Sequence, residues 1–140
     1  LSALLGLGGV IGLGRRFGSI GLALDAPAVT LTARPAERLD VTGPEARRAA
    51  AYALAAAGHL GIAGHAALTI ESAIPAHAGF GSGTQLALSV AAALAGLAGR
   101  PFAPEDFADA LDRGNRSGVG LATFTQGGLI VDGGRDQAEL

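Results

Sequence analysis

The sequence predicts an α+β domain, and three observations carry the prediction. Segments rich in β-formers cluster near the start, long apolar patterns of helical period follow, and one further strand returns near the end. Strands and helices do not alternate regularly, which argues against a βαβ series. A chain of 140 residues suffices for one ordinary domain with a real core.

The opening stretch LSALLGLGGVIGLGRR is uncharged until Arg15. It is too short and glycine-rich to span a membrane, and its charge follows the apolar run where a signal peptide's would precede it. A buried strand or a glycine-rich loop is the expectation. SIGLALD (residues 19–25) and AVTLTAR (residues 28–34) are separated by Ala26-Pro27 and predict two adjacent strands, paired as a hairpin. RLDVTG adds a third short strand. Thr42 is then the expected N-cap of a helix that begins near Pro44 and Glu45, runs through ARRAAAYALAAAG and stops at Gly58.

HAALTIES (residues 65–72) predicts another strand. Beyond it, Leu86, Val90, Ala93, Leu94 and Leu97 recur at helical spacing until Gly99 and Pro101 close the pattern. APEDFADALDRGN predicts a further helix, with Pro104, Glu105 and Asp106 in its first turn and Phe102, Phe107 and Leu111 toward the core. GGLIVDGG returns as a strand between glycine turns. Its Asp132 reads as a turn-former before two glycines, a place facing the site being the alternative.

Composition narrows the chemistry. A formal net charge of -2 gives no basis for nucleic-acid or polyanion binding. All ten basic residues are arginines and cysteine is absent, so a catalytic lysine, a thiolate, a disulfide and a cysteine-ligated zinc are all excluded within this sequence. Cysteine leaves the compartment open, and cytoplasm is the default. His59, His65 and His77 have no acidic companion at metal-ligand spacing, so no histidine-built metal site is expected.

The stretch ESAIPAHAGFGSGTQLALSV (residues 71–90) lies between a predicted strand and a predicted helix. The first turn of a helix carries amides without intrahelical partners, and the dipole there favours an anion. Gly79, Gly81 and Gly83 let backbone approach a phosphate, while Ser82 and Thr84 add hydroxyls able to donate to it or to reach a magnesium ion. Known loops are excluded by their letters: there is no P-loop lysine, residue 84 is threonine where a dinucleotide fingerprint needs glycine, and Ser82 directly follows Gly81, unlike a nucleophile elbow. A glycine-rich turn that serves packing alone fits these letters equally well.

The motif resembles the phosphate-binding motif of the GHMP kinase superfamily, a proline, three residues and then Gly-Leu-Gly-Ser-Ser-Ala. Pro75, Gly79, Phe80, Gly81 and Ser82 match in order, with Phe80 for leucine and Gly83 for the second serine. Gly83, Thr84 and Gln85 are similar to one branch, the β-ribofuranosylaminobenzene 5'-phosphate synthase family. GRRFGSIGLALD (residues 14–25) and GNRSGVGLATFTQGGLIVDGG (residues 114–134) resemble the same branch. Many GHMP kinases carry Gly-x-x-Ser-Gly-x-Asp in the last block, the aspartate being implicated in deprotonating or positioning the phosphoryl acceptor. Gly114, Arg116, Ser117, Gly118 and Val119 stand there in this chain, and Gly120 takes the aspartate's place. Glycine cannot act as a base.

The resemblance implies an α+β GHMP N-terminal domain of the ribosomal protein S5 domain 2 type, with helices on a mostly antiparallel sheet. It implies a single such domain over residues 1–140, without the superfamily's C-terminal domain, so the chain by itself is expected to bind weakly and turn over little. The implied reaction is attack of a ring carbon of 4-aminobenzoate, or 4-hydroxybenzoate, on C1 of 5-phosphoribosyl 1-pyrophosphate, for methanopterin-type cofactors. An ATP-dependent small-molecule kinase and a non-catalytic binding domain are the alternatives.

On this reading Gly79, Gly81, Ser82, Gly83, Thr84 and Gln85 form the phosphate cradle. Arg15, Arg16, Asn115, Arg116 and Ser117 are candidate substrate clamps, and His77 is a candidate phosphate donor or proton shuttle. The remaining arginines, at 34, 38, 47, 48, 100, 113 and 135, are expected at the surface. The expected cofactor is Mg2+, held on substrate phosphates with Ser82 or Thr84 as a protein ligand; ATP enters only on the kinase reading. Expected partners are a phosphorylated small molecule and an aromatic acid, with no nucleic acid or membrane and a homodimer allowed.

Overall fold

The computed structural model of the chain describes the backbone of residues 3–11, 15–112 and 118–136, with side chains over 18–112 and 118–134. Its strands are β1 (Ala3–Ile11), β2 (Arg15–Leu22), β3 (Thr30–Pro35), β4 (Asp40–Thr42), β5 (Ala66–Ser72), β6 (Leu129–Asp132) and β7 (Arg135–Asp136). The helices are α1 (Ala46–Leu60), α2 (Ser82–Leu97), α3 (Pro104–Ala108) and α4 (Val119–Gln126).

The strands form two sheets. In one, β2 pairs antiparallel with β1, β6 and β7; in the other, β5 lies between antiparallel β3 and parallel β4. The α+β class and the mostly antiparallel pairing hold, and β4 is the exception. The expected hairpin across Ala26-Pro27 does not form. β2 ends at Leu22 and β3 starts at Thr30 in the other sheet, so the connection crosses between sheets rather than folding back. The opening stretch, expected as strand or loop, is a strand over Ala3–Ile11.

α2 is the hub of the core, with Leu86, Ala87, Leu88, Val90, Ala91, Leu94 and Ala95 all buried. A helix apolar on nearly every side belongs inside a protein, and burial here extends beyond the stripe the sequence marked, to Ala87, Leu88, Ala91 and Ala95, while Leu97 is partly exposed. α1 meets it with small residues, Ala49, Ala53 and Ala56, which allow close approach of the two backbones. From the sheet, Leu68 and Ile70 of β5 complete the cluster.

Helix ends depart from the sequence expectations in instructive ways. Thr42 does not cap α1; it lies in β4 opposite Thr69, and the cap position is Glu45 in a left-handed conformation (φ 59°). The helix runs through Gly58 to Leu60 and is closed by Gly61 at φ 65°, the left-handed conformation that glycine adopts without Cβ strain. The helix expected over residues 103–115 is only the short α3, followed by turns in which Asp112 takes φ 52°. Phe107 still anchors it, buried against the rings of His59 (4.6 Å between centroids) and Phe102 (5.2 Å).

α4 had no sequence prediction. Glycine and threonine hide it, since neither favours a helix, but Val119 and Thr123 are fully buried and fix it against α2 and the first sheet. None of the helices among the described residues is long and apolar enough to cross a membrane.

Candidate functional site

The loop between β5 and α2 curls through alternate left-handed residues: His77 at φ 59°, Gly79 at 77° and Gly81 at 66°. Such left-handed turns draw successive amides into one concavity, and glycine at two of the three positions keeps the strain low. Gly81 is the cap residue of α2, and no side chain caps the helix. The first intrahelical bond runs from the Gln85 N–H to the Gly81 carbonyl at 3.1 Å. The amides of Ser82, Gly83 and Thr84 therefore lie in the turn that has no intrahelical acceptors, at the positive end of a 16-residue helix.

These residues open onto a cavity of about 310 Å³. Gly79, Gly81, Ser82, Gly83 and Thr84 all line it, as do His77, Ala76 and Phe80. The structure thus brings together the loop residues expected to form a cradle, with His77 on the rim.

Gln85 stands apart from them. It is 1% exposed, is absent from the cavity wall, and donates from Nε2 to the Gly120 carbonyl at 3.0 Å. Its Oε1 is buried without a hydrogen-bond partner. The geometry gives it a positioning role, joining the first turn of α2 to α4. At the start of α4, Asp132 accepts the Gly118 N–H at 3.0 Å and the Gly134 N–H at 2.9 Å. The turn-forming reading of Asp132 fits, and its carboxylate also anchors the start of α4.

Arg48 was expected at the surface and instead lines the cavity from the first turn of α1. It is half-buried, and Nη1 donates to Glu45 Oε2 at 2.9 Å, a pair whose side chains are 36% and 28% exposed. Partial burial disfavours its charge, but side-chain hydrogen bonds with Glu45 and Tyr52 outweigh burial and raise its pKa. A pair this exposed contributes about 0–1 kcal/mol to stability. The signal that could have found Arg48 is its position: a basic residue in a first turn with no acid opposes the helix dipole.

Arg15 and Arg16 open β2, opposite Asp136 and Arg135, and their side chains lie outside the described residues. Asn115, Arg116 and Ser117 lie outside them entirely. Among the described residues no group of His, Cys, Asp or Glu could hold a metal ion. The oxygen donors at the cavity that suit magnesium are the hydroxyls of Ser82 and Thr84, which fits an ion carried mainly by a substrate's phosphates.

Helices on mostly antiparallel strands, with an uncapped helix start behind a glycine loop and open to a cavity, define the class, an α+β domain. The family model for the GHMP kinases N terminal domain matches residues 45–128, and the chain belongs to that family. It is 37% identical over 128 residues to the β-ribofuranosylphenol 5'-phosphate synthase of Archaeoglobus fulgidus, a match over 91% of this chain and 41% of that protein. The synthase of the same name from Methanothermobacter thermautotrophicus is 45% identical over 71 residues, 51% of this chain and 22% of that protein. The chain therefore spans less than half the length of these relatives.

Among solved structures, a mevalonate kinase superposes with a TM-score of 0.70 at 15% identity, over 96% of this chain and 52% of that one. The mevalonate kinase of Methanococcus jannaschii gives 0.67 at 16% identity, over 91% and 50%. At such identities the likeness is one of fold.

Proposed function

We propose that this domain serves a decarboxylating phosphoribosyl transfer, from 5-phosphoribosyl 1-pyrophosphate to 4-hydroxybenzoate, in methanopterin-type cofactor synthesis. 4-Aminobenzoate is the other acceptor of the same chemistry, and the relatives' names, which carry a phenol, favour the hydroxy acid. The activity is proposed for the full-length product of the gene that carries this sequence, acting in the cytoplasm.

One observation supports transfer to a ring carbon over phosphoryl transfer. Gly120 stands where the resembling kinases carry their aspartate, and it packs directly on Thr84 of the phosphate turn. No base is available at that position.

The proposed step is redox-neutral. The ring carbon bearing the carboxylate bonds to C1 of the ribose, and the bond from C1 to the pyrophosphate oxygen breaks with its electron pair. The carboxylate then leaves as carbon dioxide, returning its bonding pair to the ring. The amides of Ser82, Gly83 and Thr84 would stabilise charge growing on the departing pyrophosphate, a task for donors fixed before the reaction starts. Magnesium, when bound with the diphosphate, would neutralise part of that charge.

The test is to incubate the full-length protein with 5-phosphoribosyl 1-pyrophosphate and carboxyl-labelled 4-hydroxybenzoate, and in parallel with ATP and candidate alcohols. Labelled carbon dioxide is expected. ADP without it would establish a kinase instead, and neither product would leave a binding domain.

A further inference from the structure

We infer that Arg48 is a substrate-binding residue: its guanidinium takes the second phosphate of a diphosphate whose first phosphate rests on the amides of Ser82, Gly83 and Thr84. The inference deepens the function proposed above and rests on that reading for the organic part of the ligand only.

Three observations carry it. Arg48 and the glycine-rich turn line one cavity from two different helices, α1 and α2, so the cavity has donors from both. Arg48 is also the one permanently charged cation among the residues lining that cavity. Finally, the residue places its charge at the unfavourable end of its own helix, where the pair with Glu45 is the compensating contact. The first turn of α1 holds no acid, and a cation there faces the positive end of the dipole.

The guanidinium has five N–H donors in a planar fork. Its Nη1 is engaged by Glu45 at 2.9 Å, and Tyr52 also bonds the side chain. These contacts hold the fork at the cavity wall and leave further donors for phosphate oxygens. Glu45 has a second effect, since its carboxylate repels an incoming anion. Arg48 thus discriminates by length: orthophosphate can be satisfied by the helix start alone, whereas a diphosphate reaches the donors of both helices.

The inference is tested by titrating inorganic pyrophosphate and, separately, orthophosphate into the 140-residue chain by calorimetry. Arg48→Gln is expected to weaken pyrophosphate binding at least about tenfold and orthophosphate binding less than about threefold, with Arg48→Lys recovering part of the loss. Glu45→Gln is expected to tighten pyrophosphate binding, because it removes a negative charge beside the guanidinium. Equal pyrophosphate affinity in folded Arg48→Gln, or no pyrophosphate binding at millimolar concentration, would overturn the inference.

In the full-length protein Arg48→Gln should raise the KM for the phosphorylated substrate and leave that for the aromatic acid unchanged. Arg48-dependent pyrophosphate binding alongside ADP formation would keep the inference and discard ribosyl transfer. Carbon dioxide release with an unaltered KM would do the reverse.

Discussion

A Cβ placed on Gly120 would lie 3.2 Å from Cγ2 of Thr84 and 3.4 Å from its Oγ1. Thr84 belongs to the uncapped turn of α2, and Gly120 to the first turn of α4. The two helices approach here because residue 120 has no side chain, and the Gln85 amide ties the same two turns together at 3.0 Å. The position that would hold an acceptor-side carboxylate in the resembling kinases is thereby used for packing.

Gly120→Asp is accordingly expected to destabilise the domain by about 1–3 kcal/mol, the usual cost of forcing atoms into a packed contact. In the full-length protein it should produce no ADP-forming activity. Denaturant melts and an ADP assay check the two halves separately.

Gln85 separates hydrogen bonding from charge. Gln85→Leu loses a bond worth about 1 kcal/mol and also removes a buried unpaired oxygen whose cost is of similar size, so stability should change by less than about 1 kcal/mol. Gln85→Glu buries a carboxylate beside a carbonyl and should cost several kcal/mol at neutral pH. Burial raises the folded-state pKa of that carboxyl, so the penalty is absent below the unfolded value of about 4.3 and grows as pH rises through it. Melting both variants between acid and neutral pH distinguishes these outcomes.

Two glycines should respond with opposite signs. At Gly43, with φ 99°, a Cβ would fall 2.0 Å from the Ile70 carbonyl oxygen, so Gly43→Ala should cost about 3 kcal/mol or prevent folding. Gly58 lies inside α1 with nothing within 4 Å of its added Cβ. Gly58→Ala should stabilise by about 0.5–1 kcal/mol, read as a rise in melting temperature.

Asp132→Ala should cost about 1–2 kcal/mol, because the carboxylate satisfies the Gly118 and Gly134 amides and lies at the positive end of α4. Hydrogen exchange is expected to accelerate in α4 before it does so in α2.

Much of this architecture was legible in the letters. The phosphate loop and α2 announce themselves through glycine spacing followed by helical period, and β5 through its β-branched run. What stayed hidden depends on long-range contacts. SIGLALD and AVTLTAR look like hairpin partners because they are neighbours in sequence, yet β2 finds Val131 and Leu129 of β6 while β3 finds β5. α4 is held by burial of Val119 and Thr123 rather than by propensity, so nothing local marks it.

Site chemistry divides the same way. Ser82, Gly83 and Thr84 could be placed at a helix start from sequence because glycine spacing gives way to helical period there. Arg48 could not, because it reaches the cavity only through the packing of α1 on α2. Gln85 joins the expected cradle through the resemblance of Gly83, Thr84 and Gln85 to one branch of the superfamily, but helical geometry turns it inward, toward Gly120.

The central claim is that backbone amides at the start of α2 hold a phosphate without lysine. Amide chemical shifts of the isotopically labelled chain during titration with inorganic pyrophosphate test it most directly. The account predicts saturable shifts largest at Ser82, Gly83 and Thr84, with little change at the far end of α2 around Leu97. Shifts that leave those three amides unmoved while pyrophosphate binds elsewhere would contradict it.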